Sequence, residues 1–599
     1  MANNAIEVKV DQLADQIATL TNRLSKQHER LMALEEAWSN RAVESRRTVV
    51  PVNKIQGEGA HSAGTKTSLA GSGSFLAKLA TICFILVVAL ILRTLTDGGI
   101  IAPKTGSVIG TAYAAFLIAA GWRLTSKKKN FGPIFPVCGA LLMYALVLET
   151  HARFTTYTSV TAYSILLCTM LPLAIMGKRH QRLLFSGVGL LGASCTALAI
   201  DLPTPFFPYL AIFLFVANVI AFSCEYRQTR GIQALLYTMT LVFWFFWALR
   251  LRAPLGAGTE ILPALALSWF LPMTLLSIFT FMGFSVYSSF RGGDSYTALD
   301  VVLPTANALW LYPACSLVMI PWLGYGHLLG YAGLVLSLLH FVVAGAIYKF
   351  SRQGGAGICA YVFAGAALMV MGTLSAVDSI LLALPLWGLV AVMLSLASQT
   401  CEIGGVRLTS YLLQCVATFL GITYGLFLTG TPTPVLALLV VGSLAVMSVF
   451  QYHWSRSHPI SCSMGFFALI DPRDISAVVL LLVALIDGFC MLQLLAYKVL
   501  SASFADPANA MLGTQSIFIN LGAMGLMLFG LLKKNREILY MAIGVVIIGA
   551  FKSIGYDLFK VHGIPLVLSV FSFGATAAVG SVVLSRWSQT GYVEETASQ

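Results

Sequence analysis

Charge is scarce in this chain. Only 10% of its 599 residues are charged while 58% are hydrophobic, and the mean hydropathy is +0.82; a soluble domain carries roughly a quarter charged residues. So little polar surface cannot coat a water-soluble globule. A soluble enzyme, a nucleic-acid reader and a secreted disulfide scaffold are therefore excluded as descriptions of the whole chain. Metal-binding and redox spacings are lacking as well. The 11 cysteines form no C-x-x-C and lie mostly in or beside apolar runs, where cysteine acts as a small hydrophobe. No phosphate-binding glycine loop, nucleophile elbow, H-E-x-x-H or paired catalytic carboxylates occur, so no cofactor or metal is expected and an enzyme is disfavoured. The first 70 residues are charged and polar, so a signal peptide is not expected either.

Those residues carry a heptad instead. Ile6, Val10, Leu13, Ile17, Leu20, Leu24, Gln27, Leu31, Leu34 and Trp38 recur at alternating spacings of four and three, and Gln27 alone among them is polar. That is a coiled-coil seam with one register-fixing polar residue. It predicts a coil over 1–38 that self-associates or recruits a protein partner, with an amphipathic helix on the membrane surface as the alternative. Over 39–74 the pattern stops at Gly57-Glu58-Gly59 and Gly71-Ser72-Gly73-Ser74, a flexible basic linker.

From Phe75 to 587 the composition predicts an all-α polytopic membrane domain. Apolar stretches of about 20 residues, the length needed to cross a bilayer, number eighteen and start near 75, 107, 133, 159, 183, 207, 232, 262, 298, 328, 357, 380, 408, 435, 475, 511, 538 and 564. With the N-terminus inside, the inner loops and the tail 588–599 hold 19 Lys/Arg. The outer loops hold six: Lys104, Arg153, Arg250, Arg252, Lys498 and Lys560. By the positive-inside rule both termini are then cytoplasmic, and the net charge of +12 reflects orientation rather than a nucleic-acid partner. Arg291, Arg352 and Arg407 are read as inner-loop charges beside Gly-Gly pairs. Outer loops this short argue against lipid-linked-sugar glycosyltransferases.

Ionisable residues within spans are costly and are the first functional candidates. Asp487 and Lys552 lie at similar depth on parallel helices, which suggests an ion pair acting as a clamp or an ion-coupled gate. Asp557 is about 140° around an α-helix from Lys552, so solvent or Lys560 is its expected partner. His340, Asn218, Asn307, Asn520 and Arg93 are secondary candidates, the first four as interhelical hydrogen-bonding groups; haem is not expected. The run Phe243-Trp244-Phe245-Phe246-Trp247 reads as an interfacial anchor rather than a binding cage.

Three stretches carry a family resemblance: Leu92-Arg93-Thr94-Leu95-Thr96-Asp97-Gly98-Gly99-Ile100-Ile101-Ala102-Pro103; Val377-Asp378-Ser379 through Leu386-Trp387-Gly388; and Arg536 with Lys552-Ser553-Ile554-Gly555-Tyr556-Asp557-Leu558 and Ser569-Val570-Phe571-Ser572-Phe573-Gly574. Together they resemble the domain of unknown function 2339 family of predicted bacterial membrane proteins. The resemblance implies an N-terminal coiled coil, a linker, a long helical array in the bacterial inner membrane, and Lys552 and Asp557 as paired features. The family's Trp-Glu-Gly is here Trp387-Gly388-Leu389, so no role for that glutamate carries over.

The function expected from these features is to move or accommodate a lipid or other amphipathic envelope molecule. The alternative is a scaffold that works through its coiled coil.

Overall fold

The computed structural model describes residues 82–597 apart from 83, 86, 97, 128–131, 201–205, 224–228, 292–297, 325, 351–354, 425–434, 460–470, 472–473 and 504–506. The expected coil (1–38) and linker (39–74) lie outside the described residues, as does Met464–Ile470.

Among the described residues all regular structure is helical. Sixteen helices among these residues are long and apolar enough to cross a membrane. Two shorter apolar ones, α1 (Val87–Thr96) and α6 (Phe207–Ser223), complete the order. Between and after these run α2 (Pro103–Ser126), α3 (Ile134–Ala152), α4 (Ser159–His180), α5 (Leu183–Ile200), α7 (Arg230–Ala257), α8 (Pro263–Phe290) and α9 (Ala298–Leu323). Next come α10 (Gly326–Phe350), α11 (Gly357–Ala376), α12 (Ile380–Cys401), α13 (Gly404–Thr423) and α14 (Val435–Ser457). The last four are α15 (Ala477–Ser503), α16 (Pro507–Leu532), α17 (Arg536–Lys560) and α18 (Ile564–Trp587). This is the construction of a polytopic helical membrane protein, and each expected stretch holds one of these helices. The backbone of α18 continues as helix to Ala597, through the expected tail.

Local chemistry sets the ends. Asn535 caps α17 by accepting from the backbone N–H of Glu537 (2.9 Å) and Ile538. Gly324 ends α9 at φ 68°, a left-handed conformation that glycine adopts without strain.

The helices present apolar residues outward as well as inward. On α10 the stripe Val335, Leu338 and Val342 is exposed, while Ser337, His340 and Ala344 are buried. Small residues let the backbones close. A Cβ on Gly330 of α10 would come within 2.3 Å of Ala376, and one on Gly372 of α11 within 3.0 Å of the Gly330 carbonyl. Such contacts supply the packing that membrane helices need where no hydrophobic drive exists.

Ion pairs tie neighbouring helices at both ends of the bundle. At one end are Arg230–Asp300 (3.2 Å), Arg407–Asp474 (3.2 Å) and Arg456–Glu537 (2.8 Å). At the other is Arg93–Glu149 (2.8 Å), and there His327 Nε2 lies 3.5 Å from Asp378 Oδ1.

The aromatic run on α7 is not an interfacial anchor. Trp244 and Trp247 are 1% and 0% exposed and pack on Phe207 and Phe270. Trp247 donates to the Leu265 carbonyl at 2.8 Å. Five consecutive aromatics cover every side of a helix, and the side bearing 243, 244 and 247 faces the protein core.

Candidate functional site

Three sites gather buried polar groups of the membrane domain that sequence analysis singled out. The first is at the end of α17. Phe551–Asp557 is π-helical, and i→i+5 bonding brings residues five apart over one another. Lys552 Nζ therefore meets Asp557 Oδ1 at 2.9 Å, and also donates to Ser516 Oγ (2.9 Å) and the Leu512 carbonyl (3.0 Å) of α16. Asp557 is fully buried; its Oδ2 accepts from Ser516 and Ser569. Asn520 extends the network, donating to Ser572 (2.9 Å) and Ser553 (3.3 Å).

Two expectations fail here, each on an angle. The 140° separation holds only for an α-helix, so the expectation from periodicity that Lys552 and Asp557 do not pair fails, whereas the pairing that the resemblance implies is present. The Asp487–Lys552 pair does not form, because equal depth does not mean facing sides: Lys552 turns toward α16, and Asp487 toward α13.

Asp487 is the second site. It lies ten residues into α15, about 15 Å along the axis, and is fully buried. Both its oxygens are met by one hydroxyl, that of Thr418 on α13 (3.0 and 2.9 Å). Among the described residues no Lys or Arg pairs with it.

The third site is a lateral recess of about 240 Å³ between α8, α9, α10 and α11. Leu275, Leu323 and Leu328 line it and are exposed on the outside of the bundle. Asn307 and His340 line it too, and both are buried. His340 Nδ1 is 2.7 Å from the Leu336 carbonyl. A carbonyl only accepts, so Nδ1 carries a proton, and in the neutral imidazole Nε2 is then an acceptor, one without a partner. Asn307 Nδ2 donates to the Ile278 carbonyl of α8 at 3.2 Å, and its Oδ1 is likewise buried without a partner. Asn307 also opens a π-helical turn, Asn307–Leu311, a local distortion that is frequent at functional sites. Two residues of the apolar recess wall thus each keep a buried acceptor without a protein partner.

The remaining secondary candidates tie helices together. Asn218 donates to Thr240 of α7 at 2.7 Å. Arg93 pairs with Glu149 of α3 at 2.8 Å, and Arg153 shares that carboxylate.

Sequence reasoning missed Arg407, read as a loop charge. It sits in the first turn of α13 at 2% exposure, held by Asp474, the His458 carbonyl (2.9 Å) and Ser398. Asp300 was missed likewise; it is buried and takes Arg230 and Ser288 (2.6 Å). The available signal was the i, i+4, i+7, i+11 spacing of Arg407, Tyr411, Gln414 and Thr418, a polar stripe within an apolar helix. Among the described residues no cluster of three His, Cys, Asp or Glu is placed to hold a metal.

No family model matches the chain, and neither the curated proteins nor the solved structures include a similar one.

Proposed function

We propose that this protein holds and translocates a neutral, hydroxyl-bearing amphipathic lipid in the recess between α8 and α11. The observation that carries this reading is that His340 and Asn307, which line an apolar recess whose rim is exposed on the bundle surface, each keep a buried acceptor, Nε2 and Oδ1, without a protein partner. A buried acceptor without a donor is costly. A ligand hydroxyl, or an amide N–H, removes that cost; a phosphate, which brings acceptors and negative charge, does not. Depth supports movement over storage. His340 lies ten residues from the end of α10 at Phe350, about 15 Å along the axis, near the bilayer midplane. A resting lipid keeps its head group at the surface, so acceptors at half depth suit a head group in transit. The Lys/Arg distribution supports a cytoplasmic-membrane orientation with both termini inside.

The test is transbilayer movement of fluorescent diacylglycerol in vesicles carrying the full chain. Acceleration by the wild type and its loss in His340→Leu and Asn307→Leu support the reading. Equal rates in wild-type and empty vesicles overturn it.

The apolar heptad of 1–38 favours a second role, recruitment of a partner or self-association. Deleting 1–38 separates the two: lipid movement persists, while a co-purifying partner or an oligomer is lost.

A further inference from the structure

Helix α13 carries a buried polar stripe, each turn of which is hydrogen-bonded to its neighbours. At its start Arg407 holds Asp474, whose side chain is 22% exposed. One turn on, the Tyr411 hydroxyl contacts Asp474 (3.1 and 3.2 Å) and donates to Ser455 (2.9 Å), and Ser455 donates to Asp474 in turn. At the next turn Gln414 donates to Ser448 (2.9 Å) and accepts from Gln451 (3.0 Å). The stripe ends where Thr418 donates to Asp487. From Arg407 to Thr418 it spans eleven residues, about 16 Å of axis. Ser448, Gln451 and Ser455 form the complementary face of α14. Gln414, Gln451, Ser448, Ser455 and Asp487 are all at most 2% exposed. Gln451 Oε1 is in addition a buried acceptor without a protein partner, between the Tyr411 and Gln414 levels.

A structural role alone explains this poorly. Interhelical hydrogen bonds in membranes contribute about 0.6 kcal/mol on average, and a carboxyl at mid-depth with one hydroxyl partner costs more than it returns. The polar groups also do not scatter. They form a single file from a partly exposed carboxylate to a fully buried one, the arrangement found where protons or ions cross part of a membrane.

We propose that the α13–α14 stripe is a proton path that loads Asp487 from the end of the bundle at Asp474. The Asp474 carboxylate takes a proton from solvent. Waters hydrogen-bonded to Tyr411, Ser455, Gln451, Gln414 and Ser448 pass it on, and an oxygen of Asp487 receives it. Only O–H bonds form and break, one proton moves, and no electron is transferred. The groups around Asp487 leave it as the natural terminus. Cys415 of α13 and Cys490 of α15 adjoin it. The titratable residues of α14 are Tyr452, His453 and Arg456, at the Asp474 end; α16 has none; α12 has only Cys401, in its last turn. On α15 itself Tyr497 and Lys498 lie more than two turns beyond Asp487. The path is independent of the lipid recess and stands whether or not that recess is a lipid site.

The experiment is time-resolved infrared difference spectroscopy of the full chain in lipid after a pH jump. A carboxylic-acid carbonyl band that rises on acidification and vanishes in Asp487→Asn is the expected result. Gln414→Leu and, as a second interruption, Gln451→Met should slow its rise by about tenfold or more, equivalent to 1.4 kcal/mol of barrier, at unchanged final amplitude. Gln414→Asn, which keeps an amide, should restore most of the rate and shows that folding is not at issue. A band in Asp487 that ignores pH would make the carboxyl a fixed structural hydrogen bond and overturn the proposal. So would a pH-dependent band whose rate ignores both interruptions.

Discussion

Lys552 and Asp557 stand five residues apart on one helix and form a 2.9 Å ion pair, because the turn between them is π-helical. The lysine side chain is 18% exposed and the aspartate fully buried. The pair is thus a charged clamp among α16, α17 and α18, with Ser516 and Ser569 filling the remaining positions on the carboxylate. Removing one partner leaves the other charge unpaired in a low-dielectric site. Lys552→Met or Asp557→Leu alone should each cost about 3–5 kcal/mol, and the double variant should recover most of that loss. Unfolding in mixed micelles measures it; single variants as stable as the wild type would remove the clamp.

Gly549 lies against the same network. A Cβ there would sit 2.3 Å from Asn520 Oδ1. Gly549→Ala should therefore displace Asn520 from Ser553 and Ser572 and cost about 1–3 kcal/mol, the usual range for overpacking. The same unfolding assay checks it, and Asn520→Ala should relieve part of the clash.

The recess can be blocked without touching its acceptors. Ala332 lines it and is exposed on the outer side of α10. Ala332→Trp should abolish diacylglycerol movement while changing stability by no more than about 0.5 kcal/mol, as surface substitutions generally do. Native mass spectrometry in mild detergent supplies the second readout: a neutral lipid retained by the wild type should be lost from this variant.

Trp247 discriminates core from interface. As a buried ring stacked on Phe207 with centroids 5.4 Å apart, it should cost about 3–5 kcal/mol when cut to alanine. A ring anchored in head groups would cost far less, and Trp269, 48% exposed, provides the comparison.

Orientation is testable with cysteines placed at Lys104 and Lys533. Lys533→Cys should react with a membrane-impermeant maleimide only from the cytoplasmic side, and Lys104→Cys only from the other. The reverse pattern would invert the whole topology.

Much of this architecture was legible in the chain because a bilayer imposes a single length on every apolar run. Each expected stretch holds a helix, and Asn307 and His340 were singled out simply for being polar within one. What escaped was angular. Pairing Asp487 with Lys552 used depth, which sequence supplies, and assumed facing sides, which it does not. The π turn at 551–557 changed the angular step within one helix. Arg407 was assigned to a loop because Gly404-Gly405 precedes it, whereas those glycines begin α13. The aromatic run of α7 was ambiguous because rings that suit head groups also suit a dense core.

The polar stripe of α13 bears on how the protein is made. Its mean hydropathy is 1.3, against 2.4 for α12, 2.1 for α14 and 2.5 for α15. The partners of Tyr411, Gln414 and Thr418, namely Ser455, Ser448 and Asp487, are all synthesised after them. As the nascent chain emerges, α13 carries an arginine and a glutamine that no earlier helix fully satisfies. The polar face of α13 is therefore completed only when α14 and α15 have been made, and these three helices are expected to settle in the bilayer as one unit.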